Sequence, residues 1–244
     1  VNNRLSPLEM RAIGFPWSPQ MVERSRRSTG ATIAAAEAAV VGRRSGGAPI
    51  AINLAGGTHH AGPARGEGFC CFNDAAVAAR VLQRTEGLRR VAVLDMDVHQ
   101  GNGTAEIFQA DSSVVTVSVH GANNYPFRKQ QSDLDLALED GAGDGEYLTA
   151  LEQALDFLSS QSELDLLIYL AGADPLEQDR LGRLSVSLTG LSARDRRVFC
   201  WALGERLPVA VAMAGGYSSP IDPTVAAHRQ TIQAALDIFL RNSL

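Results

Sequence analysis

Residues 91–103 read VAVLDMDVHQGNG and join an apolar run to a cluster of carboxylate and imidazole side chains. The apolar part, residues 91–94, is typical of a buried β-strand. While the backbone stays extended, Asp95, Asp97 and His99 share one face, because side chains alternate along a strand with a period of two. Three polar groups on one side of a buried strand are costly unless they are paired or bind a metal. This stretch therefore predicts a strand that ends at an ion-binding edge.

Two further apolar runs end in polar residues of the same kinds. Residues 166–173 lead into Asp174, and residues 50–57 lead through a threonine into His59 and His60. In an open parallel sheet, ligands bind outside the carboxyl ends of the strands, so all of these side chains are expected at one edge. An Asp/His/Asp set is typical of a divalent metal site, and a neighbouring histidine pair is typical of general acid–base chemistry. The sequence therefore predicts a metallohydrolase.

Apolar runs alternate with helical patterns along the chain. The predicted strands are residues 50–57, 91–94, 114–119, 166–170 and 209–213. The predicted helices are residues 21–41, 74–84, 104–108, 146–158, 192–207 and 222–239. We expect Gly42 to end the first helix, Asn73 to cap the second, and Ser192 with Asp195 to form an approximate capping box at the start of the fifth. Strands that read as continuous apolar runs between helices favour a parallel sheet covered on both faces. We expect an α/β fold with three layers, a mainly parallel β-sheet flanked by helices on both faces, in one domain over residues 1–244.

Composition narrows the classes of function. The net charge of −5 argues against binding nucleic acid through a broad surface. The chain contains no run of the roughly 18 apolar residues that a transmembrane helix needs, and its first residues lack the layout of a secretory signal. Three cysteines, of which Cys70 and Cys71 are adjacent, cannot form a disulfide framework. We expect a cytoplasmic protein that binds neither a membrane nor nucleic acid directly, and the oligomeric state stays open.

Two glycine-rich loops extend the predicted edge. Residues 66–69 continue the loop after the histidine pair and offer Phe69 as an aromatic wall of a pocket. Residues 214–217 follow the last strand, and their two glycines leave backbone space. Tyr217 can therefore bring a phenol towards the edge of the sheet.

Together these motifs resemble the histone deacetylase superfamily, and within it the class IV-like and bacterial deacetylase-like branch. The matching motifs are Gly57-Thr58-His59-His60, Gly68-Phe69-Cys70, Asp95-Met96-Asp97-Val98-His99, Gly172-Ala173-Asp174 and Gly215-Gly216-Tyr217. The resemblance runs from about Phe15 to the C-terminus. It implies an arginase/deacetylase-like fold, and it implies that this chain lacks the N-terminal portion of the family's domain.

The resemblance also implies the ions. It assigns one catalytic zinc, with iron(II) as the alternative, to Asp97, His99 and Asp174. It further implies a structural monovalent cation, K⁺. The candidate positions for that cation are Asp95, Asp97, His99, Ser118 and Val119.

The catalytic roles follow from the same resemblance. His60 is implied to be the general base and acid, with His59 as its electrostatic partner, oriented by Asp95. Tyr217 is implied to donate a hydrogen bond to the oxyanion. Many members have an aspartate where this chain has Asn102, and a neutral amide stabilises an imidazolium less than a carboxylate does. The Gln-Gly-Asn sequence that ends at this asparagine resembles the class IV-like branch.

The implied substrate is an acylated lysine or a small acylated amine such as an acetylpolyamine, and the acyl chain and its carrier stay open. The candidate substrate-binding residues are Gly68, Phe69, Tyr125, Gly215 and Gly216.

Two other functions are compatible with parts of the pattern. An arginase-like amidinohydrolase would need extra bridging carboxylates, but the chain has Gly101 two residues after the strand-end histidine, and alanine and leucine around Asp174. A non-catalytic module that binds acyl-lysine or acylpolyamine stays open, and metal content together with turnover would distinguish it from an enzyme.

Overall fold

A parallel β-sheet organises residues 4–240, the part of the chain that the computed structural model describes. Its strands are β1 (Ile50–Asn53), β2 (Val91–Asp95), β3 (Val114–Gly121), β4 (Leu134–Leu138), β5 (Leu166–Leu170) and β6 (Val209–Ala212). Within this range the six strands lie in the order β1–β6–β5–β2–β3–β4. All neighbouring pairs are parallel, so the carboxyl ends of the strands share one edge.

Helices cover both faces of this sheet. They are α1 (Pro7–Ile13), α2 (Pro19–Ser45), α3 (Asp74–Glu86), α4 (Asn102–Phe108), α5 (Asp144–Ser159), α6 (Leu188–Gly204) and α7 (Asp222–Ala235). On one face Leu82 of α3 packs in a buried cluster with Val93 of β2. On the other, the ring of Phe199 in α6 lies 5.9 Å from that of Tyr169 in β5. The predicted three-layer α/β architecture is therefore confirmed.

Four strands, β2, β3, β5 and β6, are buried along their whole length. Because helices lie above and below the sheet, residues 91–94 of β2 and the whole of β5 and β6 read as continuous apolar runs. Strand β3 differs, because it carries buried Thr116, Ser118 and His120 at alternating positions. Burying one large aliphatic side chain contributes about 1.5 to 3 kcal/mol. The central strands are therefore the best-anchored part of the molecule.

The end of α2 differs from the prediction that it stops at Gly42. The helix continues to Ser45, and Gly46 is its C-cap, with a φ of +75°. A Cβ at Gly42 would lie 2.1 Å from the carbonyl oxygen of Ala48. Gly42 therefore lets the chain return closely over the helix instead of ending it.

The start of α6 also differs from the prediction. Ser192 was expected to cap this helix, but it lies inside Leu188–Gly204, and the N-cap is Ser187. Asp195, the expected capping-box acid, is fully buried in the core. Its spacing from Ser192 therefore does not mark a helix start. The last predicted helix is confirmed to Ala235 and then becomes a π-helical turn, Leu236–Leu240.

Two elements were not predicted. Helix α1 has only seven residues, and β4 is a half-exposed edge strand. No helix in residues 4–240 is long and apolar enough to cross a membrane.

Candidate active site

Three of the predicted polar residues meet at the carboxyl ends of β2 and β5, which are neighbouring strands. Asp97, His99 and Asp174 are all buried, and one ligand atom from each lies within 4.8 Å of the others. The Nδ1 atom of His99 is 3.0 Å from Asp97 Oδ1 and 3.2 Å from Asp174 Oδ2. The parallel pairing of β2 with β5 thus joins residues that lie 75 positions apart along the chain.

Their convergence depends on a bend, because β2 ends at Asp95 and the chain does not stay extended to His99. The backbone N–H of His99 donates to Asp97 Oδ1 over 2.9 Å. The N–H of Gly215 donates to Asp97 Oδ2 over 2.8 Å. The N–H of Val98 donates to Asp174 Oδ1 over 2.9 Å. Backbone donors therefore orient both carboxylates.

The electrostatics of this cluster favour a bound cation. Burial and the neighbouring Asp97 carboxylate raise the pKa of Asp174. Burial alone would lower the pKa of His99, but hydrogen bonds to both carboxylates outweigh it and raise that pKa to about 10. A divalent ion would replace the proton that these groups otherwise share. Two carboxylate oxygens and one imidazole nitrogen are donors that suit zinc or iron(II), so the residues fit the implied metal.

The tandem histidines lie beside this cluster, with ring centroids 4.1 Å apart. His59 Nδ1 is 2.6 Å from Asp95 Oδ2, and His60 Nδ1 is 2.7 Å from Asn102 Oδ1. Burial would lower the pKa of His59, but the carboxylates of Asp95 and Asp97 raise it to about 9. Burial and the charge on His59 hold the pKa of His60 well below its usual range. One imidazole of the pair is therefore charged and the other neutral near pH 7.

Asp74 holds the turn that leads into His59 and His60, a role that the sequence did not indicate. Asp74, fully buried at the start of α3, accepts hydrogen bonds from the backbone N–H groups of Gly57 and Thr58 over 3.0 and 2.7 Å. The preceding Asn73 caps α3, as predicted, and its Nδ2 also donates to the carbonyl oxygen of His59 over 3.2 Å. An acid after an N-cap is common in any helix, so the sequence carried no signal for this second role.

A cavity of about 400 Å³ reaches this site. Its lining includes His60 and the predicted substrate-binding residues Gly68, Phe69 and Tyr125. The Tyr125 ring meets the His60 ring edge-on, with centroids 4.9 Å apart. Three of the five predicted substrate-binding residues therefore share the cavity wall with a histidine of the tandem pair.

The end of α1 forms another part of this wall. The carbonyl oxygens of Ala12 and Ile13 accept hydrogen bonds from the N–H groups of Gly68 and Phe69, each over 2.9 Å. These bonds hold Phe69 in a left-handed conformation, with a φ of +65°. The unpredicted helix α1 thus supports a predicted pocket residue.

The other two predicted substrate-binding residues lie elsewhere. Neither Gly215 nor Gly216 is among the residues in the range 4–240 that line the cavity. A Cβ at Gly215 would lie 2.0 Å from Asp174 Oδ2, and one at Gly216 would lie 2.4 Å from Thr224 Cγ2. These glycines therefore let the loop pack behind the carboxylates, where Gly215 also donates to Asp97.

Tyr217 does line the cavity, and its ring centroid is 6.3 Å from that of His99. Its backbone N–H donates to Asp179 Oδ2 over 2.5 Å, which fixes the loop. Burial and the carboxylates of Asp97 and Asp174 raise the pKa of its phenol. Tyr217 therefore stays protonated and can donate a hydrogen bond.

Comparison with protein families shows the family of this chain. Residues 5–232 match the family model of the histone deacetylase domain. The chain belongs to the histone deacetylase family. The predicted membership of the histone deacetylase superfamily is thereby confirmed, and the class IV-like and bacterial branch stays a prediction.

Relatives in this family extend beyond the chain to different degrees. An uncharacterized protein of Picosynechococcus sp. is 44% identical over 235 residues, which cover 96% of this chain and 76% of that protein. Histone deacetylase 2 of Arabidopsis thaliana is 34% identical over 195 residues, covering 79% of this chain. The matched segment is 49% of the Arabidopsis protein, so the chain spans about half the length of that relative.

Solved structures with related sequences share the fold. Acetylpolyamine aminohydrolase from Burkholderia pseudomallei superposes with a TM-score of 0.72 at 30% identity, covering 86% of this chain and 62% of that one. A histone deacetylase homologue from Aquifex aeolicus superposes with a TM-score of 0.74 at 26% identity, covering 92% and 59%. The predicted arginase/deacetylase-like fold is therefore confirmed.

Of the positions implied for the monovalent cation, Asp95 lies on β2 and Ser118 and Val119 lie on β3, its neighbour in the sheet, whereas Asp97 and His99 follow the end of β2. Asp95 and Ser118 face each other in the pairing of β2 with β3. One oxygen of Asp95 contacts His59, and the other accepts from the N–H of Asp97 over 3.1 Å. The hydroxyl of Ser118 lies 3.0 Å from Nδ1 of His120. The K⁺ site stays a prediction.

Proposed function

We propose that this chain is a metal-dependent deacylase that hydrolyses the amide bond of an acylated lysine or of a small acylated amine such as an acetylpolyamine. The observation that carries the proposal is the buried cluster of Asp97, His99 and Asp174 at a cavity that His60 and Tyr217 also line. Family membership supports amide hydrolysis, and one structural neighbour is named for acetylpolyamines.

Asp97, His99 and Asp174 would hold the ion, zinc or iron(II). When bound, such an ion polarises the amide carbonyl and makes water a stronger nucleophile at neutral pH. Backbone N–H groups already orient both carboxylates, so little reorganisation is needed on binding. The buried site also excludes bulk water, which strengthens every charge interaction in it.

His60 is the proposed proton carrier. Its Nδ1 is engaged by Asn102, which leaves Nε2 as the ring nitrogen available to substrate. A neutral imidazole can accept the proton of the attacking water and return it to the departing amine nitrogen. Burial and the charged His59 beside it lower the pKa of His60 and so keep it neutral in the resting state. A base with a lone pair is therefore available before the reaction begins.

Tyr217 is the proposed oxyanion donor. Its phenol stays protonated because burial and two nearby carboxylates oppose ionisation and raise its pKa. A donor that is already in place stabilises charge that develops only in the transition state, and it costs no reorganisation at that moment.

Phe69 and Tyr125 are the proposed walls for the acyl chain and its methylene carrier. Both line the cavity, and the Phe69 ring lies 6.3 Å from that of Tyr217. Apolar walls with a few convergent polar groups are typical of small-molecule sites.

The direct test measures turnover of a panel of acylated lysine peptides and acetylated polyamines, together with metal analysis of the same sample. We expect about one divalent ion per chain and hydrolysis of at least one substrate class. Saturable binding of these ligands without turnover by the metal-loaded protein would instead favour the non-catalytic module.

A further inference from the structure

The hydrogen-bond partner of His60 is the side-chain amide of Asn102, which can turn either its oxygen or its nitrogen towards the imidazole ring. Asn102 Oδ1 lies 2.7 Å from His60 Nδ1, and Asn102 Nδ2 donates to Glu67 Oε1 over 2.5 Å. Asn102 is 3% exposed, so water cannot easily replace either contact. The buried amide thus links the histidine to a carboxylate that the sequence analysis did not single out.

We propose that Glu67 is a positioning residue for hydrolysis, which acts through Asn102 to hold His60 in the tautomer that a general base requires. An ionised carboxylate can only accept hydrogen bonds, so Glu67 must face the amide nitrogen of Asn102. The amide oxygen then faces His60, and only a protonated Nδ1 can donate to it. Nε2 is left with the free lone pair. This inference rests on the role proposed above for His60.

Without Glu67, the orientation of the amide would be undetermined. A rotated Asn102 would offer its N–H₂ to His60 Nδ1 and so favour the tautomer with the proton on Nε2. That tautomer cannot accept a proton from water at the cavity side. Where a histidine base depends on a fixed partner, the wrong tautomer accounts for large losses of rate.

Surrounding contacts hold Glu67 in place. Its side chain is 18% exposed, and Arg65 Nε donates to Glu67 Oε2 over 3.4 Å. The same arginine also pairs with Glu106 on α4. A Cβ at the next residue, Gly68, would lie 2.5 Å from His60 Cδ2, so the backbone after Glu67 packs directly against the histidine ring. Glu67 is therefore part of the wall behind His60.

A double-mutant cycle tests this role. Glu67→Gln can either accept from Asn102 or donate to it, so both amide orientations become available. We expect kcat/KM to fall roughly 10-fold or more with metal content unchanged, in the range seen when outer-shell partners are removed. Asn102→Asp offers His60 only acceptor oxygens, but it places a second carboxylate against Glu67.

In the Asn102→Asp background, Glu67→Gln should therefore raise kcat/KM instead of lowering it. In the double variant, the introduced glutamine amide can donate to the introduced aspartate carboxylate, which relieves the repulsion between two acids. Adding Glu67→Gln should then raise kcat/KM above that of Asn102→Asp alone. Equal losses from Glu67→Gln in both backgrounds would overturn the proposal, because they would mean that Glu67 acts independently of the amide.

Glu106→Gln is the matched control. It removes the other carboxylate on Arg65 and leaves the contact between Glu67 and Asn102 intact. We expect activity near that of the wild type. A loss equal to that of Glu67→Gln would overturn the proposal in favour of simple loop packing.

Nitrogen-15 NMR of the His60 ring provides a readout that does not need turnover. We expect the proton on Nδ1 in the metal-loaded wild type and a shift towards Nε2 in Glu67→Gln. An unchanged tautomer would reject the role of Glu67. If the wild type hydrolyses nothing in the substrate panel, the proposed function fails, while the NMR comparison still decides whether Glu67 sets the tautomer.

Discussion

At the carboxyl ends of β2 and β5, both candidate metal-binding carboxylates are buried and accept hydrogen bonds from backbone N–H groups, whereas the mouth of the cavity is made of loops with exposed rings. Asp97 and Asp174 are 2% and 0% exposed. Phe69 and Phe127, at the mouth, are 45% and 87% exposed. The comparison indicates that the sheet positions the reacting groups, while the loops can vary with the substrate.

A substitution in the cluster of Asp97, His99 and Asp174 should have the largest effect on activity. Asp174→Asn keeps the shape of the side chain and an acceptor for Val98 but removes one of three candidate ligands. We expect loss of the bound metal and a fall in kcat/KM of about 10⁴-fold or more, since a metal contributes several kcal/mol to such a reaction. Metal analysis and circular dichroism of the same sample check this. Full metal content with normal turnover in this variant would mean that Asp174 is not a metal ligand.

Substitution of His60 should have the second-largest effect on activity. His60→Ala should lower kcat by roughly 10² to 10⁴ while metal binding survives, as expected for loss of a positioned acid–base group. His228→Ala, a variant of a half-buried histidine on α7, is the matched control and should keep wild-type turnover. Parallel loss of metal and activity in His60→Ala would mean that His60 is a ligand.

Tyr217 connects the two regions, because it follows a strand end but lies on a loop. Tyr217→Phe should leave metal content and KM unchanged and slow the chemical step by about 10² to 10³, the usual effect of losing one oxyanion donor. Single-turnover kinetics on the best acylated lysine would measure that step directly. A variant as fast as the wild type would reject the role.

Substitutions at the mouth of the cavity should have the smallest effect on the chemical step. Lys129, the single lysine in the chain, donates from Nζ to the carbonyl oxygens of Asn124 and Pro126 and so ties down the loop that carries Tyr125. Lys129→Met should raise KM roughly 3- to 10-fold, equivalent to about 1 kcal/mol of loop ordering, with kcat nearly unchanged.

Arg128→Met is the control for charge, since it removes the neighbouring exposed cation. It should leave KM near the wild-type value. A large fall in kcat for Lys129→Met would mean that the mouth takes part in the chemistry, and the contrast between the two regions would break down.

The strand-end residues were predictable because their signals are local. Apolar runs before Asp97 and Asp174 mark buried strands, and parallel strands place their carboxyl ends at one edge. Helix α1 also had a local signal, since Ser6 and Glu9 form a capping box around Pro7. Strand β4 had a weaker one, because a half-exposed edge strand has fewer buried positions to mark it.

Some features could not be derived from local patterns. The sequence does not state that β5 lies beside β2, and this pairing decides that Asp174 meets His99. Gly215 and Gly216 suggested a substrate wall, but only the packed structure places them behind the carboxylates. The contact between Glu67 and Asn102 joins a loop residue to a helix start 35 positions away.

By itself the sequence determined the layered fold, the residues that end its central strands and the tandem histidines, because periodicity, caps and glycine turns are encoded within a few neighbouring residues. Only the tertiary structure decided the order of the strands, the bend that aims His99 at both carboxylates and the carboxylate behind Asn102. These depend on how distant segments pack, and packing is a property of the whole core.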